Sequence, residues 1–102
     1  MPNGEEKNWI RLCVAIEEFR IRYKRWPTHV FLDSILYESL TCLFSPSSLE
    51  KLNAKVELVV KKDALVVAAD DQGNQYDYGH ETGSGRRPRI KAVDWLGVRP
   101  DK

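Results

Sequence analysis

Apolar residues recur at spacings of three and four in the first quarter of the chain. From about Trp9 to Arg25 this spacing places one set of apolar side chains on a single helical face. The set is Trp9, Leu12, Cys13, Ile16, Phe19, Tyr23 and Trp26. Pro27 ends the predicted helix because proline disfavours helical geometry at the residue before it.

The same helix carries a thinner second apolar stripe. It consists of Ile10, Val14 and Ile21, and it lies about a third of a turn from the first at 3.6 residues per turn. Two apolar faces indicate that this helix is packed on both sides, one of them by another chain.

Short elements follow the first helix. Residues 28–32 show an alternating pattern that includes β-branched and aromatic side chains, which predicts a short strand. Asp33 or Ser34 can cap a second helix, because a side-chain oxygen there accepts a free backbone amide. Ser47 with Glu50 three residues later forms a capping box that predicts a third helix.

The period of the pattern changes to two between residues 56 and 78. Two-residue turns at Lys62-Asp63 and Gln72-Gly73 would place eight apolar side chains on one face of a sheet. These are Val56, Leu58, Val60, Leu65, Val67, Ala69, Tyr76 and Tyr78. In this register Leu58 opposes Val67 and Ala69 opposes Tyr76. The agreement predicts an antiparallel three-stranded meander over about 56–78.

The whole chain of 102 residues is long enough for one domain. Residues 1–8 are expected to be a disordered tail, residues 79–88 a flexible loop, and about 90–96 a last short helix ending at Gly97. The predicted fold is therefore a single α+β domain of order α-β-α-α-β-β-β-α. Its helices pack on one face of the meander, and residues 28–32 are a candidate fourth strand.

Composition places the chain in the globular class, with 42% hydrophobic and 30% charged residues. No signal-peptide pattern and no apolar run of about 20 residues is present in the sequence. Cys13 and Cys42 both fall in apolar helical patterns and are interpreted as buried small side chains. We expect a soluble cytoplasmic protein that does not bind a membrane and needs no cofactor.

Charge is balanced overall but segregated along the chain. Sixteen basic and fifteen acidic residues give a formal net charge of +1. The basic residues concentrate in two short runs, Arg20, Arg22, Lys24 and Arg25, and Arg86, Arg87, Arg89 and Lys91. An acidic stretch precedes the second run and contains Asp70, Asp71, Asp77 and Glu81. Such a bipolar surface suits a protein partner or self-association at least as well as a polyanion.

Catalytic chemistry finds little support in the sequence. His29 and His80 are the only histidines. Arg22 and His29 have a spacing that some helical ribonucleases use on one continuous helix, but Pro27 interrupts it here. Near His80, Asp77 and Glu81 offer ligands of the type that divalent metals accept, but a solvated hairpin and loop explains them better, and we predict no metal site.

Two further candidate motifs lack the neighbouring residues or the spacing that their function requires. The Gly83–Arg87 segment lacks the preceding strand, the following helix and the lysine of a phosphate-binding loop. The two cysteines do not have zinc-ligand spacing.

Three functional hypotheses remain. The first is a small non-enzymatic interaction protein that binds a protein partner or itself. It would act through the first helix, at Ile10, Val14 and Ile21, and through a basic loop, at Arg86, Arg87 and Arg89.

The alternative is an accessory nucleic-acid-binding protein that contacts phosphates. The contacts would come from both basic runs: Arg20, Arg22, Lys24, Arg25, Arg86, Arg87, Arg89 and Lys91. It requires the two runs to meet on one surface and binding that weakens steeply with salt. The third hypothesis, a metal-dependent or ribonuclease-like enzyme using His29 or His80, has the least support.

Overall fold

The computed structural model describes residues 7–78 and 90–100, without the side chain of Ile90. The elements are α1 (Lys7–Tyr23), β1 (His29–Leu32), α2 (Ser34–Thr41), α3 (Pro46–Lys55), β2 (Glu57–Val60), β3 (Val67–Ala69), β4 (Gln75–Asp77) and α4 (Ile90–Leu96). This confirms the predicted α+β class and element order. The predicted loop 79–88 and most of the predicted tail lie outside the described residues, whereas Lys7 and Asn8 already belong to α1.

The strands form one four-stranded mixed sheet in the order β2-β1-β3-β4. β1, the candidate fourth strand of the sequence, lies inside the sheet rather than at an edge. It pairs parallel to β2 and antiparallel to β3, so Val30 lies between Leu58 and Ala68. The β3–β4 pair is an antiparallel hairpin, as predicted.

The predicted meander is therefore wrong in its first pairing, because β1 separates β2 from β3. Alternation along a strand shows which of its side chains share a face, but it does not show which strand is the neighbour. The predicted pairing of Leu58 with Val67 rested on a two-residue turn at Lys62-Asp63. The chain instead crosses over β1 between residues 61 and 66, with Asp63 at a φ of 65°.

The predicted register of the β3–β4 hairpin is off by one residue. Tyr76 pairs with Ala68 rather than with Ala69. The loop has three residues, 71–73, because the Asp70 N–H donates to the Asn74 carbonyl at 3.1 Å. The sequence pattern of β3 is compatible with either register, since all three β3 residues are apolar. All three are also buried, as is typical of a central strand covered on both faces.

The core lies between α1 and the sheet face that carries Val30, Leu58, Ala68 and Tyr76. The main apolar face of α1 is confirmed as core. Its fully buried members, all at most 1% exposed, are Trp9, Leu12, Cys13, Ile16 and Phe19. None of the helices in the described ranges is long and apolar enough to cross a membrane.

Two local predictions need correction. Cys42, the C-cap residue of α2, is exposed, unlike Cys13. The N-cap of α3 is Ser45 rather than Ser47, and the Ser45 hydroxyl accepts the Ser48 N–H at 3.3 Å. Pro46 explains the shift, since its fixed φ suits the first helical position. The Asp33 cap of α2 is confirmed by a 2.9 Å bond from the Leu36 N–H.

Candidate functional site

The end of α1 divides the first basic run into two sides. α1 ends at Tyr23, and Lys24 then adopts a left-handed conformation with a φ of 63°. The Lys24 N–H donates to the Arg20 carbonyl at 2.8 Å, which closes the last turn of the helix. Arg20 and Lys24 lie on one side of this end, and Arg22 and Arg25 contact the β3–β4 hairpin on the other.

The hairpin side is an internal structural contact. The Arg25 Nε lies 3.5 Å from Asp70 Oδ2, and the Arg22 guanidinium lies 5.0 Å from the centre of the Tyr76 ring. The Asp70 side chain is fully buried against Arg25 and accepts hydrogen bonds from the Gln72 and Asn74 backbone and from Asn74 Nδ2.

These contacts set the charge state of Asp70. Its burial by itself raises the pKa, but the hydrogen bonds from Asn74 and Gln72 and the positive charge of Arg25 outweigh this effect. The pKa of Asp70 is therefore lower than its ordinary value. Asp70 and Arg25 hold the hairpin to the end of α1.

The other side of the α1 end opens into a groove of about 280 Å³, which we call the basic groove. Its lining residues come from α1, the segment after it and α4: Glu17, Arg20, Ile21, Lys24, Trp26 and Lys91. Lys91 belongs to the second basic run, so the fold brings one member of that run beside two members of the first. Ile21 is 52% exposed and gives the groove an apolar surface among the cations.

Glu17 holds the two helices of the basic groove together. It is only 4% exposed, and its Oε1 accepts the Ala92 N–H at 3.0 Å. Ala92 lies in the first turn of α4, where backbone N–H groups have no partner within the helix. Glu17 is the one carboxylate that lines the groove among the described residues, and it is bonded to the backbone rather than ion-paired with the neighbouring cations.

Two stacked tryptophans form a wall beside the basic groove. The ring centres of Trp26 and Trp95 are 4.5 Å apart with an angle of 4° between the planes. The Arg20 guanidinium lies 5.4 Å from the Trp26 ring centre, and the Lys55 ammonium lies 5.6 Å from that of Trp95. Parallel rings this close leave no room between them for a cation, so Arg20 and Lys55 cover the outer faces of the stack.

The structure places the candidate residues of the sequence in different environments. Arg20, Ile21, Lys24 and Lys91 line the basic groove, whereas Arg22 and Arg25 contact the hairpin. Val14 is 2% exposed and packs within this chain, and Ile10 is half-buried. Arg86, Arg87, Arg89 and His80 lie outside the described residues.

Sequence reasoning missed three residues of this region: Glu17, Trp26 and Trp95. Trp26 was assigned to the main apolar face of the first helix, and neither Trp95 nor Glu17 was named as a candidate site residue. The available signals were an acidic residue between the two apolar faces of α1 and a tryptophan between a basic run and Pro27.

His29 has polar neighbours, but they do not form a catalytic arrangement. The Thr28 hydroxyl lies 2.7 Å from His29 Nδ1, and Glu57 Oε1 lies 3.6 Å from Nε2. The latter distance is too long for a hydrogen bond, and Glu57 is 68% exposed, so solvent competes for its carboxylate. Within residues 7–78 and 91–100, His, Cys, Asp and Glu side chains do not assemble in threes to hold a metal ion.

Comparison of the sequence with protein-family models, with curated proteins and with solved structures finds no match.

Proposed function

We propose that this chain is a small non-enzymatic interaction protein that binds a protein partner in the basic groove. The observation that carries the proposal is the meeting of Arg20, Lys24 and Lys91 around the exposed Ile21. An exposed apolar side chain ringed by charged groups is typical of a protein contact surface.

The proposed binding surface is the basic groove rather than the second apolar stripe of α1. Val14 is 2% exposed, so of the three stripe residues only Ile21 is largely exposed. The volume of about 280 Å³ is slightly below the roughly 300–1,000 Å³ of pockets that enclose small molecules. A groove of this size suits a few side chains of a partner.

Site-directed photo-crosslinking in the source cells tests the proposal. A photoreactive residue at Ile21 is compared with one at Ile35, which is 75% exposed on α2 and does not line the basic groove. We expect a discrete crosslinked protein at position 21 whose yield falls when Lys24 and Lys91 are neutralised by Lys24→Gly and Lys91→Gln. Equal labelling at both positions contradicts the proposal. A product of twice the chain mass identifies a second copy as the partner.

A nucleic acid is the second candidate partner, and the position of Lys91 favours it. The hypothesis requires the two basic runs to share a surface, and Lys91 lies in one groove with Arg20 and Lys24. Three phosphate contacts predict a slope of roughly −2 for the logarithm of the single-strand binding constant against the logarithm of salt concentration. Fluorescence anisotropy with a labelled oligonucleotide measures this slope, and a flat response excludes the candidate.

A further inference from the structure

We infer that the basic groove recognises an acidic protein segment that carries an apolar side chain next to its carboxylates. This inference rests on the proposed function and specifies the partner of the same groove. The carboxylates would contact Arg20, Lys24 and Lys91, and the apolar side chain would cover Ile21.

The charge of the basic groove is the first argument. Lys24 and Lys91 are exposed, and neither forms an ion pair with any carboxylate of the described residues. Glu17 offsets one of the three positive charges of the lining, because its carboxylate keeps its charge while it accepts the Ala92 N–H, and the described lining therefore stays positive overall. Three cations, from α1, the segment after it and α4, therefore face a shared space, and a partner of opposite charge is electrostatically complementary to it.

The exposed Ile21 is the second argument. A partner that offered only charge would leave this apolar side chain in water, since 52% of it is accessible. Covering it removes apolar surface from water, which favours binding. The groove therefore selects segments in which an apolar residue is close to acidic residues.

The tryptophan stack favours an acidic protein segment over a single-stranded nucleic acid as the partner. Single-strand binding proteins stack bases on exposed aromatic faces. Here Trp26 is covered by Trp95 and Arg20, and Trp95 by Trp26 and Lys55. Tyr76 is buried, at 3% exposed, so it offers no stacking surface either.

The acidic stretch of a second copy fits the groove less well. Asp70 is already engaged by Arg25, Asn74 and Gln72, and its side chain is buried. The described part of that stretch thus presents only Asp71 and Asp77 to another molecule, and Asp77 has a partner in its own chain. A different protein with a denser acidic segment meets the requirements better.

Titration of the labelled full chain with synthetic peptides, followed by amide chemical shifts, tests the inference. The probe is a ten-residue peptide of glutamates around a central leucine. Its matched controls replace the glutamates by glutamine, or the leucine by serine. We expect shifts at Arg20, Ile21, Lys24 and Lys91 with the acidic leucine peptide, and weaker binding of both control peptides.

Two variants of the protein sharpen the test. Lys24→Gly removes a charge at a position where the positive φ suits glycine, and Lys91→Gln removes one at an exposed helix position, so both are expected to fold. The double variant should bind the acidic leucine peptide about fivefold more weakly, because each exposed charge contact contributes little.

Three results overturn the inference. They are unshifted groove amides with the acidic leucine peptide, equal binding of the glutamine peptide, and tighter binding of a thymidine oligonucleotide. If the crosslink at Ile21 forms in cells while the acidic peptide fails to bind, the inference is wrong but the proposed function stands. If the crosslink is absent as well, both fail.

Discussion

The two sides of the α1 end both carry basic side chains, but these side chains have different surroundings. Arg22 and Arg25 lie against the aromatic ring of Tyr76 and the buried carboxylate of Asp70, whereas Lys24 on the other side faces the open basic groove. A basic run in a sequence thus combines residues that have structural partners with residues that form no ion pair within the described part of the chain. The four predictions below test this division, from the largest expected effect to the smallest.

Glu17→Ala should cause the largest loss of stability, about 2 kcal/mol. The substitution leaves the buried Ala92 N–H without an acceptor, and hydrogen bonds to charged groups contribute about 1.5–3 kcal/mol. Urea denaturation followed by circular dichroism measures the free energy of unfolding. Glu17→Gln is the matched control, since its amide oxygen can still accept, and it should lose less than half as much. Equal losses in the two variants would show that charge, and not the acceptor, matters at this position.

Asp70→Asn should change how stability depends on pH. The folded pKa of Asp70 is lower than the unfolded value of about 3.9. The ionised carboxylate therefore stabilises the fold in full above the unfolded pKa, and this contribution is lost as pH falls through the folded pKa. Wild type should be more stable than Asp70→Asn near neutral pH, and the difference should shrink below about pH 4. Denaturation curves recorded at several pH values check this, and parallel pH profiles would contradict it.

Removing the two cations on the hairpin side should cost about 1 kcal/mol. Arg22→Gln with Arg25→Gln loses at least the cation–π contact with Tyr76 and the partly exposed ion pair with Asp70, each of which contributes about 0.5–1 kcal/mol. Lys91→Gln, a loss of charge on the groove side, should change stability by less than about 0.5 kcal/mol. Thermal unfolding of the two proteins provides the comparison. A larger loss of stability in Lys91→Gln than in the double variant would contradict the conclusion that the hairpin side is the structural one.

Lys24→Gly should have the smallest effect and the opposite sign. A non-glycine residue at a φ of 63° is strained, and glycine relieves this at the end of a helix. We expect a gain of about 0.5 kcal/mol, reduced by the greater freedom of glycine in the unfolded chain. Lys24→Ala keeps the strain and should show no gain, which separates the backbone effect from the loss of charge. Both are measured by denaturant titration.

The sequence predicted the elements of this fold better than their neighbours in the sheet. Helical spacing identified the buried face of α1, because burial of Leu12, Ile16 and Phe19 depends on positions within one element. The pairing of β2 with β1 depends on residues almost 30 positions apart in the chain, and no local pattern encodes it. The insertion of β1 and the three-residue loop at 71–73 account for both errors in the predicted sheet.

The candidate site was predictable only in part. Its cations were visible as two basic runs, but which of them share a surface depends on the tertiary position of α4. The hydrogen bond from the Ala92 N–H to Glu17 joins residues 75 positions apart. Local reasoning also cannot separate Lys24 from Arg25, since the left-handed turn at Lys24 sends neighbouring side chains to opposite sides.

The stacked tryptophans make the basic groove spectroscopically visible. Two indoles whose centres lie 4.5 Å apart are close enough for their electronic transitions to couple, whereas the ring neighbour of Trp9 is Phe44 rather than a second indole. Arg20 contacts one of these indoles and lines the groove. A molecule that draws Arg20 away from Trp26 will change the emission of this pair, so the unlabelled protein carries its own optical sensor of occupancy.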